Sequence, residues 1–218
     1  MARQTHPLAS VAQCVHNRPM TRPPAIILAG GRATRMGGGD KCLLELGGHP
    51  MLSAIIARLA PQCGQMALNA NGDPGRFASF GLPVMADSQP EFPGPLAGIL
   101  AGMDWAAGIG ADAVVSVAGD TPFFPSDLVE RLAGAGPGLV LAASRDGSGQ
   151  VTDHPTFGWW PVRLRDPLRA ALAGGQRRVR RFAGANDAVL AVWDAPAHDP
   201  FFNINTPQDL AQAQDRMR

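Results

Sequence analysis

The segment that decides the fold is Ala25–Lys41, which reads AIILAGGRATRMGGGDK. A short apolar run, typical of a buried strand, continues into five glycines that allow backbone N–H groups to approach an anion closely. Arg32, Arg35 and Lys41 add positive charge to this glycine-rich loop. A mobile surface loop is the alternative, but these cations directly after a strand favour phosphate binding. The loop is not a Walker loop, because Asp40 separates the last glycine from the lysine, and it lacks the G-x-G-x-x-G dinucleotide pattern.

Lysine is used only once in this chain, at the end of that loop. Lys41 is the only lysine among 19 basic residues, and all the others are arginines. An ammonium group is a compact, strongly hydrated point charge, whereas a guanidinium is a wide planar fork. The position of this lysine supports a specific role beside phosphate, with chance placement as the alternative.

Length and composition indicate one globular domain. The chain has 218 residues, 45% of them apolar, and a formal net charge of +1. We expect residues 1–22 to form a flexible extension and residues 23–218 to form the domain. The near-neutral charge argues against nucleic acid or a membrane as a partner, and no apolar run is long enough for a membrane helix. Three widely spaced cysteines make no disulfide framework, which points to a cytoplasmic location.

Short apolar runs alternate with amphipathic stretches along the chain. The pattern predicts strands at residues 25–28, 65–69, 83–86, 113–118, 139–143 and 189–193, and an extended segment at 154–160. It predicts helices at residues 50–59, 95–107, 125–133 and 164–173, and a last helix with Thr206 as N-cap. We therefore expect an α/β fold: a single Rossmann-like domain with a mostly parallel, twisted sheet and helices on both faces.

Small or polar residues follow four of the predicted strands. They are Gly30 and Gly31, Asn69, Asp87 and Asp120. Because parallel sheets bind ligands outside the carboxyl ends of their strands, we expect these residues to converge at one edge. Asp120 is suited to hold Mg²⁺ against phosphates, with capping of the next helix as the alternative. Asn69 and Asp87 suit hydrogen bonds to a base or ribose, although each alone is typical of a turn.

The C-terminal half offers two weaker candidates. Asn205 can complete a metal shell opposite Asp120, and capping of the last helix is an equal alternative. Arg177 and Arg178 begin a basic cluster at residues 177–181. Such a cluster can hold an anionic second substrate, because arginine recognises phosphate bidentately, but a solvated helix face is the default interpretation.

With these residues identified, the chain from Ala25 to the last helix resembles the molybdenum cofactor guanylyltransferase family. The motifs that carry the resemblance, in order, are LAGGRATRMGGGDK, NANGD, the strand end at Asp87, FPGPLAG, AGDTPFFP, DHPTF, GGQRRVRRF and FNINTPQDL. The first motif is shared with many nucleotidyltransferases, whereas the ordered set is specific. The N-terminal extension has no counterpart in the resemblance.

The resemblance implies a fold of the nucleotide-diphospho-sugar transferase type and transfer of GMP from GTP to molybdenum-bound molybdopterin. Pyrophosphate is released, Mg²⁺ is the cofactor, and the proteins of molybdenum cofactor synthesis and insertion are implied partners. The implied GTP contacts are Leu28, Ala29, Gly30, Gly31, Lys41, Asn69, Asp87 and Asp120. Lys41, Arg35 and Asp120 are then the expected catalytic residues, and Asp120 is the implied metal ligand. The roles of Asn205 as a second metal ligand and of Arg177 and Arg178 at the second substrate rest on the residue patterns described above.

Two other functions remain open at this stage. One is a related nucleotidyltransferase that uses CTP or a sugar phosphate, although cytidine-using relatives of the family tend to carry alanine at the position of Gly30. The other is a non-catalytic GTP-binding partner or chaperone for cofactor insertion. Retention of both Lys41 and Asp120 favours catalysis.

Overall fold

A mixed seven-stranded sheet forms the centre of the molecule. The computed structural model describes residues 22–30, 39–88 and 94–217. The strands are β1 Ala25–Leu28, β2 Glu45–Leu46, β3 His49–Pro50, β4 Met66–Asn69, β5 Val84–Met85, β6 Ala113–Ala118, β7 Val140–Arg145, β8 Val151–Pro161 and β9 Val189–Asp194. The α-helices are α1 Met51–Leu59, α2 Pro95–Gly108, α3 Leu128–Gly134, α4 Arg165–Ala173, α5 Val179–Gly184 and α6 Pro207–Asp215. Shorter 3-10 helices cover Lys41–Leu43, Pro74–Phe80 and Val162–Leu164.

The sheet is mostly parallel, as predicted. Its order is β5-β4-β1-β6-β8-β7-β9, and β8 alone of these strands runs against the others. The strands β2 and β3 form a separate antiparallel hairpin. The central strands β1 and β6 are apolar and buried along their length, apart from the half-buried end of β1 and the polar Ser116, which is what a sheet covered on both faces requires.

Helices cover both faces of the sheet, because successive side chains of each strand point to opposite sides. Ile27 of β1 and Val115 of β6 join one apolar cluster, to which α1, α3 and α6 contribute. Ile26 and Val114 join a second cluster, to which α2, α4 and α5 contribute. Among the described residues, no helix combines the length and the apolar character that crossing a membrane requires.

Helix α2 packs closely against β1 because glycines face the strand. A Cβ atom at Gly102 would lie 2.6 Å from Cγ2 of Ile26, and one at Gly98 would lie 3.0 Å from Cδ2 of Leu28. A side chain at Gly102 would also meet Ile26 at its Cβ, so the strand would have to shift, whereas one at Gly98 would displace the side chains of Leu28 and Asn69. This contact brings the N-terminal turn of α2 to the carboxyl ends of β1 and β4.

The structure differs from the predicted elements in three places. Helix α3 begins at Leu128 rather than at Pro125 or Ser126, because the chain first makes a turn in which the Leu128 N–H donates to the Pro125 carbonyl. The β2–β3 hairpin is too short to show an alternating pattern, and its turn uses Gly47 and Gly48 at positive φ. The bounds of helix α5 were not predicted, although a solvated helix face was the default interpretation of residues 177–181, because the helix is only six residues long and mostly basic or small. The predicted extension at residues 1–22, except for Arg22, lies outside the described residues.

Candidate active site

The carboxyl ends of three neighbouring strands form the floor of the site. Leu28 lies opposite Asn69 of β4 and opposite Ala118 of β6. The chain continues the ladder beyond the strands, because Ala29 N–H donates to the Asn69 carbonyl and Gly119 N–H donates to the Leu28 carbonyl. A Cβ at Gly119 would lie 2.7 Å from that same carbonyl oxygen, so only glycine fits beside β1. The predicted convergence of strand ends at one edge is therefore present.

The Lys41 ammonium lies within a group of three side-chain oxygens. It donates to Asp120 Oδ2 at 2.8 Å, to Asn205 Oδ1 at 2.5 Å and to Asn203 Oδ1 at 3.4 Å. Lys41 is 9% exposed, so this charge is largely withdrawn from water and depends on these partners. Ile204 joins the two asparagines to the sheet edge, because its N–H donates to the Asp120 carbonyl and its side chain is fully buried.

The same oxygens suit a divalent metal ion. Their position around an ammonium shows that they stabilise a cation, and one carboxylate with amide oxygens is a hard donor set that would hold a divalent metal ion together with phosphate oxygens. Within the described residues, no group of three or more His, Cys, Asp or Glu side chains could hold a metal by itself. Asp120 therefore supplies the charge of this donor set, and Asn203 and Asn205 supply neutral oxygens.

A second polar cluster lies at the ends of β4 and β5. The Asn69 amide donates to Asp87 Oδ1 at 2.9 Å and to the Met85 carbonyl at 3.1 Å. Asn71 donates to Asp87 Oδ2 at 2.7 Å and accepts from the Asp87 N–H at 2.9 Å. Both carboxylate oxygens of Asp87 are thus oriented by amides, and each keeps a further lone pair for a ligand. Gly98 lies next to this cluster, because a Cβ atom added at Gly98 would lie 2.1 Å from Asn69 Oδ1.

Sequence reasoning did not single out Asn71. Asn71 lies two residues beyond Asn69. Since side chains two positions apart in extended chain point to the same side, this spacing was the signal that could have identified Asn71.

An ion pair anchors the turn that carries Lys41. The Arg76 guanidinium, in the 3-10 helix Pro74–Phe80, donates to both oxygens of Asp40. The sequence pattern did not predict this contact, since the partners are 36 positions apart and no periodicity links them. The neighbouring Cys42 is buried, and its Sγ lies 3.6 Å from the Ala29 carbonyl. Burial, with a smaller effect of Asp40, raises the pKa of the Cys42 thiol to about 12, so this thiol is a packing group rather than a nucleophile.

The basic cluster at residues 177–181 lies on and before α5. Arg177 donates to the Leu172 carbonyl and so helps to satisfy the C-terminus of α4, while Arg178 is exposed. Arg180 forms two hydrogen bonds to Asp153, of 2.6 and 2.9 Å, which lower the pKa of that carboxyl group. Two other predicted site residues, Gly31 and Arg35, lie outside the described residues.

His154 lies on β8, beside the segment that carries the two asparagines. Its ring stacks on Phe201 with centroids 4.4 Å apart, and its Nε2 lies 2.8 Å from Ser144 Oγ and 3.7 Å from Asp199 Oδ1. Both partners approach the same ring nitrogen, so this is not the arrangement of a catalytic triad. Burial lowers the pKa of His154 and outweighs the attraction of the nearby carboxylates.

Curated relatives cover most of the chain. A protein from Rhodopseudomonas palustris named molybdenum cofactor guanylyltransferase is 51% identical over 198 residues, which are 88% of this chain and 92% of the relative. A protein of the same name from Mesorhizobium japonicum is 52% identical over 196 residues, 86% of this chain and 92% of the relative.

Solved structures share the fold at lower sequence identity. The molybdopterin-guanine dinucleotide biosynthesis protein A from Archaeoglobus fulgidus superposes with a TM-score of 0.65 at 22% identity, covering 89% of this chain and 98% of its own. The 4-diphosphocytidyl-2C-methyl-D-erythritol synthase from Anaerococcus prevotii has a TM-score of 0.67 at 16% identity, covering 90% and 98%. These two likenesses establish the α/β fold of nucleotidyltransferases.

The family assignment rests on the sequence match together with this fold. The MobA-like NTP transferase domain family matches residues 25–189, which include the glycine-rich loop and the Asn69, Asp87 and Asp120 strand ends. Such an enzyme family points to a divalent metal ion as cofactor, in agreement with the oxygens around Lys41. The chain belongs to the MobA-like nucleotidyltransferases, the family of the molybdenum cofactor guanylyltransferases.

Proposed function

We propose that this enzyme transfers GMP from GTP to the terminal phosphate of molybdenum-bound molybdopterin and releases pyrophosphate. The observation that carries the proposal is the convergence of Lys41, Asp120 and Asn205 at the sheet edge, two strands away from the Asn69–Asp87 cluster. The first group provides charge for phosphates, and the second provides hydrogen-bonding groups for a base. The name of the curated relatives, molybdenum cofactor guanylyltransferase, supports a guanylyl donor and a molybdenum cofactor acceptor as the two substrates.

Asp87 is the residue that we assign to guanine. The Watson–Crick edge of guanine presents two adjacent donors, N1–H and the exocyclic amine, which match the two oxygens of a carboxylate. Adenine presents an acceptor at N1, which a carboxylate repels. The two asparagine amides hold the Asp87 carboxylate in one orientation, so this selection requires no rearrangement of the site.

Lys41 and the glycine-rich loop are assigned to the triphosphate. The Lys41 ammonium already faces the sheet edge, and the backbone N–H of Gly30, together with Gly31 and Arg35 of the loop, provides the further phosphate contacts that we propose. Ala29, whose own N–H donates to the Asn69 carbonyl, is proposed to contact the nucleotide through other atoms. Leu28 ends β1 immediately before Ala29. In this arrangement the protein offsets charge that grows on the α-phosphate and on the leaving pyrophosphate.

The metal is proposed to be Mg²⁺, held by Asp120 and Asn205. When bound, Mg²⁺ supplies electrophilic stabilisation of phosphate oxygens. The Lys41 ammonium donates to the side-chain oxygens of Asp120 and Asn205 in the structure, so a metal ion bound to these oxygens would take its place and the ammonium would turn towards the phosphates. These residues hold charges in place, and none of them needs to accept a proton.

The reaction needs little acid–base chemistry. An oxygen of the acceptor phosphate forms a bond to the α-phosphorus of GTP, and the bond from that phosphorus to the α–β bridging oxygen breaks, so that pyrophosphate leaves with the electron pair. The attacking phosphate is already ionised at neutral pH, so no general base is required. The site acts by positioning two anions and neutralising their repulsion.

The acceptor and the surroundings of the enzyme are further parts of the proposal. We assign the C-terminal half, with Arg177 and Arg178, to the anionic molybdopterin, and Arg178 is the more exposed of the two. The proteins of molybdenum cofactor synthesis and insertion are the partners that would supply the substrate and receive the product. The buried free thiols of Cys42 and Cys63 are in keeping with the cytoplasmic location that we propose.

Nucleotide binding and pyrophosphate release test this function. Calorimetry with GTP, CTP, UTP and ATP in the presence of Mg²⁺ should show preferential binding of GTP, and preferential binding of CTP would contradict the assignment. Pyrophosphate should appear only when molybdenum-loaded molybdopterin is added. Release that is undiminished in Asp120→Asn would contradict the metal role, and binding of GTP without any release would favour a non-catalytic partner.

The metal role has a readout that does not depend on turnover. Mn²⁺ binding, followed by electron paramagnetic resonance in the presence of GTP, should weaken by about tenfold or more in Asp120→Asn, because the charged oxygen of the donor set is lost. Asp127→Asn is a control, since that carboxylate accepts a hydrogen bond from Trp193 before α3 and takes no part in the proposed site. Equal Mn²⁺ affinity in both variants would refute the assignment of Asp120.

A further inference from the structure

Arg76 joins two segments that both border the proposed nucleotide site. Its guanidinium donates to Asp40 Oδ2 through Nε and to Asp40 Oδ1 through a terminal nitrogen at 3.4 Å. The same terminal nitrogen donates to the Asn71 carbonyl at 2.7 Å, and the other donates to the Asp73 carbonyl. All three nitrogens of one side chain therefore have partners, on two different stretches of chain.

On one side, Arg76 determines the environment of Asp40. Asp40 immediately precedes Lys41 and begins the 3-10 turn Lys41–Leu43, in which the Leu43 N–H donates to the Asp40 carbonyl at 3.1 Å. The Asp40 side chain is 16% exposed, so its charge is costly without a partner. Arg76 both neutralises this carboxylate and limits the positions that the Lys41 turn can adopt.

On the other side, Arg76 is firmly attached. Its guanidinium lies 4.5 Å from the ring centroid of Phe77, which is fully buried in the core. The carbonyls that it binds belong to Asn71 and Asp73, and Asn71 is itself held by two hydrogen bonds to Asp87. The Asp40–Lys41 turn is thus tied to the part of the site that we assign to guanine.

We propose that Arg76 is a positioning residue for nucleotidyl transfer, one that holds the Lys41 ammonium at the phosphate side of the site and cancels the negative charge of Asp40 beside the triphosphate. This inference rests on the proposed binding of GTP. Without Arg76, the Lys41 turn loses its anchor and an uncompensated carboxylate lies one residue from the phosphate-binding lysine. Binding of the phosphates should therefore weaken, whereas the hydrogen bonds between Asn71 and Asp87 remain.

The test compares ligands with and without phosphates. In Arg76→Ala, the Kd for GTP should rise by about tenfold or more, because one unpaired carboxylate opposes the phosphates. The Kd for guanosine should change by less than about twofold, since guanosine has no phosphate to be repelled. Adding Asp40→Asn to Arg76→Ala should recover most of the lost GTP affinity by removing that charge, a recovery that a merely structural role does not predict.

Two further variants complete the experiment. Arg169→Ala is a matched control, because it breaks an arginine–aspartate pair, with Asp104, in which both side chains are also partly buried, at the contact between α2 and α4. It should lower the melting temperature without changing the Kd for GTP. Arg76→Lys keeps a charge for Asp40 but cannot reach both carbonyls, so its Kd for GTP should lie between those of wild type and Arg76→Ala. If the alanine variant does not fold, a Kd for GTP of Arg76→Lys equal to that of wild type would refute the role of Arg76.

The outcomes separate this inference from the function on which it rests. A wild-type protein that binds no GTP contradicts the proposed function. If wild type binds GTP but Arg76→Ala binds it equally well, only the role of Arg76 is refuted. Equal losses for GTP and guanosine, with no recovery by Asp40→Asn, would also refute it, because they indicate general damage to the fold.

Discussion

The Lys41 ammonium donates a 2.8 Å hydrogen bond to the Asp120 carboxylate, although 79 positions of sequence separate the two residues. Lys41 follows the glycine-rich loop, and Asp120 follows β6, the strand beside β1. Parallel pairing of β1 with β6 brings both to the same edge of the sheet. The contact joins the one lysine of the chain to the candidate metal ligand. Substitutions at either residue should therefore affect the other.

Replacing Lys41 should abolish most turnover and leave the fold intact. We expect Lys41→Met to lower kcat/KM for GTP by about 10²- to 10³-fold, because a preorganised charge at the developing phosphate charge is lost. Lys41→Arg should recover little, since a planar guanidinium is wider than the ammonium that lies among Asp120, Asn203 and Asn205. Steady-state pyrophosphate release and circular dichroism measure the two properties. Normal turnover in Lys41→Arg would show that any cation suffices.

Asp87→Asn should reduce the discrimination between guanine and hypoxanthine. Wild type should bind ITP, which lacks the exocyclic amine, about tenfold or more weakly than GTP, because a hydrogen bond to a charged oxygen is missing. In Asp87→Asn this ratio should approach one, and the new amide also meets the amides of Asn69 and Asn71. Asp73→Asn, which replaces an exposed carboxylate in the loop that carries Asn71, should keep the wild-type ratio. An unchanged ratio in Asp87→Asn would place the base elsewhere.

Gly98→Ala should disturb Asn69 through steric contact alone. The added Cβ would lie 2.1 Å from Asn69 Oδ1, so that amide must leave the position from which it holds Asp87. We expect a loss of about 1–3 kcal/mol in the free energy of unfolding and weaker GTP binding. In Gly108→Ala, at the other end of α2, the added Cβ meets nothing within 4 Å. The free energy of unfolding and the affinity for GTP should therefore be equal to or greater than those of wild type. Equal behaviour of the two variants in denaturation and calorimetry would disprove this packing constraint.

His154 should make the protein less stable in mild acid. Its pKa is lowered by burial, so the unfolded chain takes up the proton more readily than the folded one. The stabilisation from neutral His154 is complete above the unfolded pKa of about 6.5 and is lost as the pH falls through the lower folded value. Asp199, Asp153 and Arg180 are the charged groups that act on this ring.

Chemical denaturation between pH 7.5 and pH 5 measures this effect. The free energy of unfolding of wild type should fall more steeply with decreasing pH than that of His154→Gln. His49→Gln replaces an exposed histidine and should keep the wild-type slope. Parallel curves for wild type and His154→Gln would show that another group causes the acid sensitivity.

Much of the fold could be predicted because the relevant signals are local. The apolar run at residues 113–118 and the helical pattern at residues 95–107 each appear within one window of sequence, and the Thr206 N-cap is followed three residues later by Asp209, with which it forms a capping box. The hairpin β2–β3 and the bounds of helix α5 were not predicted, because each element is shorter than the window of sequence in which a periodic pattern can be recognised. The antiparallel direction of β8 depends on the path by which the chain re-enters the sheet, and the periodicity of a single segment carries no information about that path.

The sequence by itself determined the ingredients of the site: a glycine-rich loop ending in the single lysine, and polar residues after strands whose carboxyl ends had to meet in a parallel sheet. Tertiary structure alone decided which side chains touch, since Lys41 reaches Asn203 and Asn205 across more than 160 positions and Arg76 reaches Asp40 across 36. Strand order and the return of the C-terminal segment set these distances. The strength of an ion pair or hydrogen bond depends on separations of a few ångströms, and spacing along a chain does not encode them.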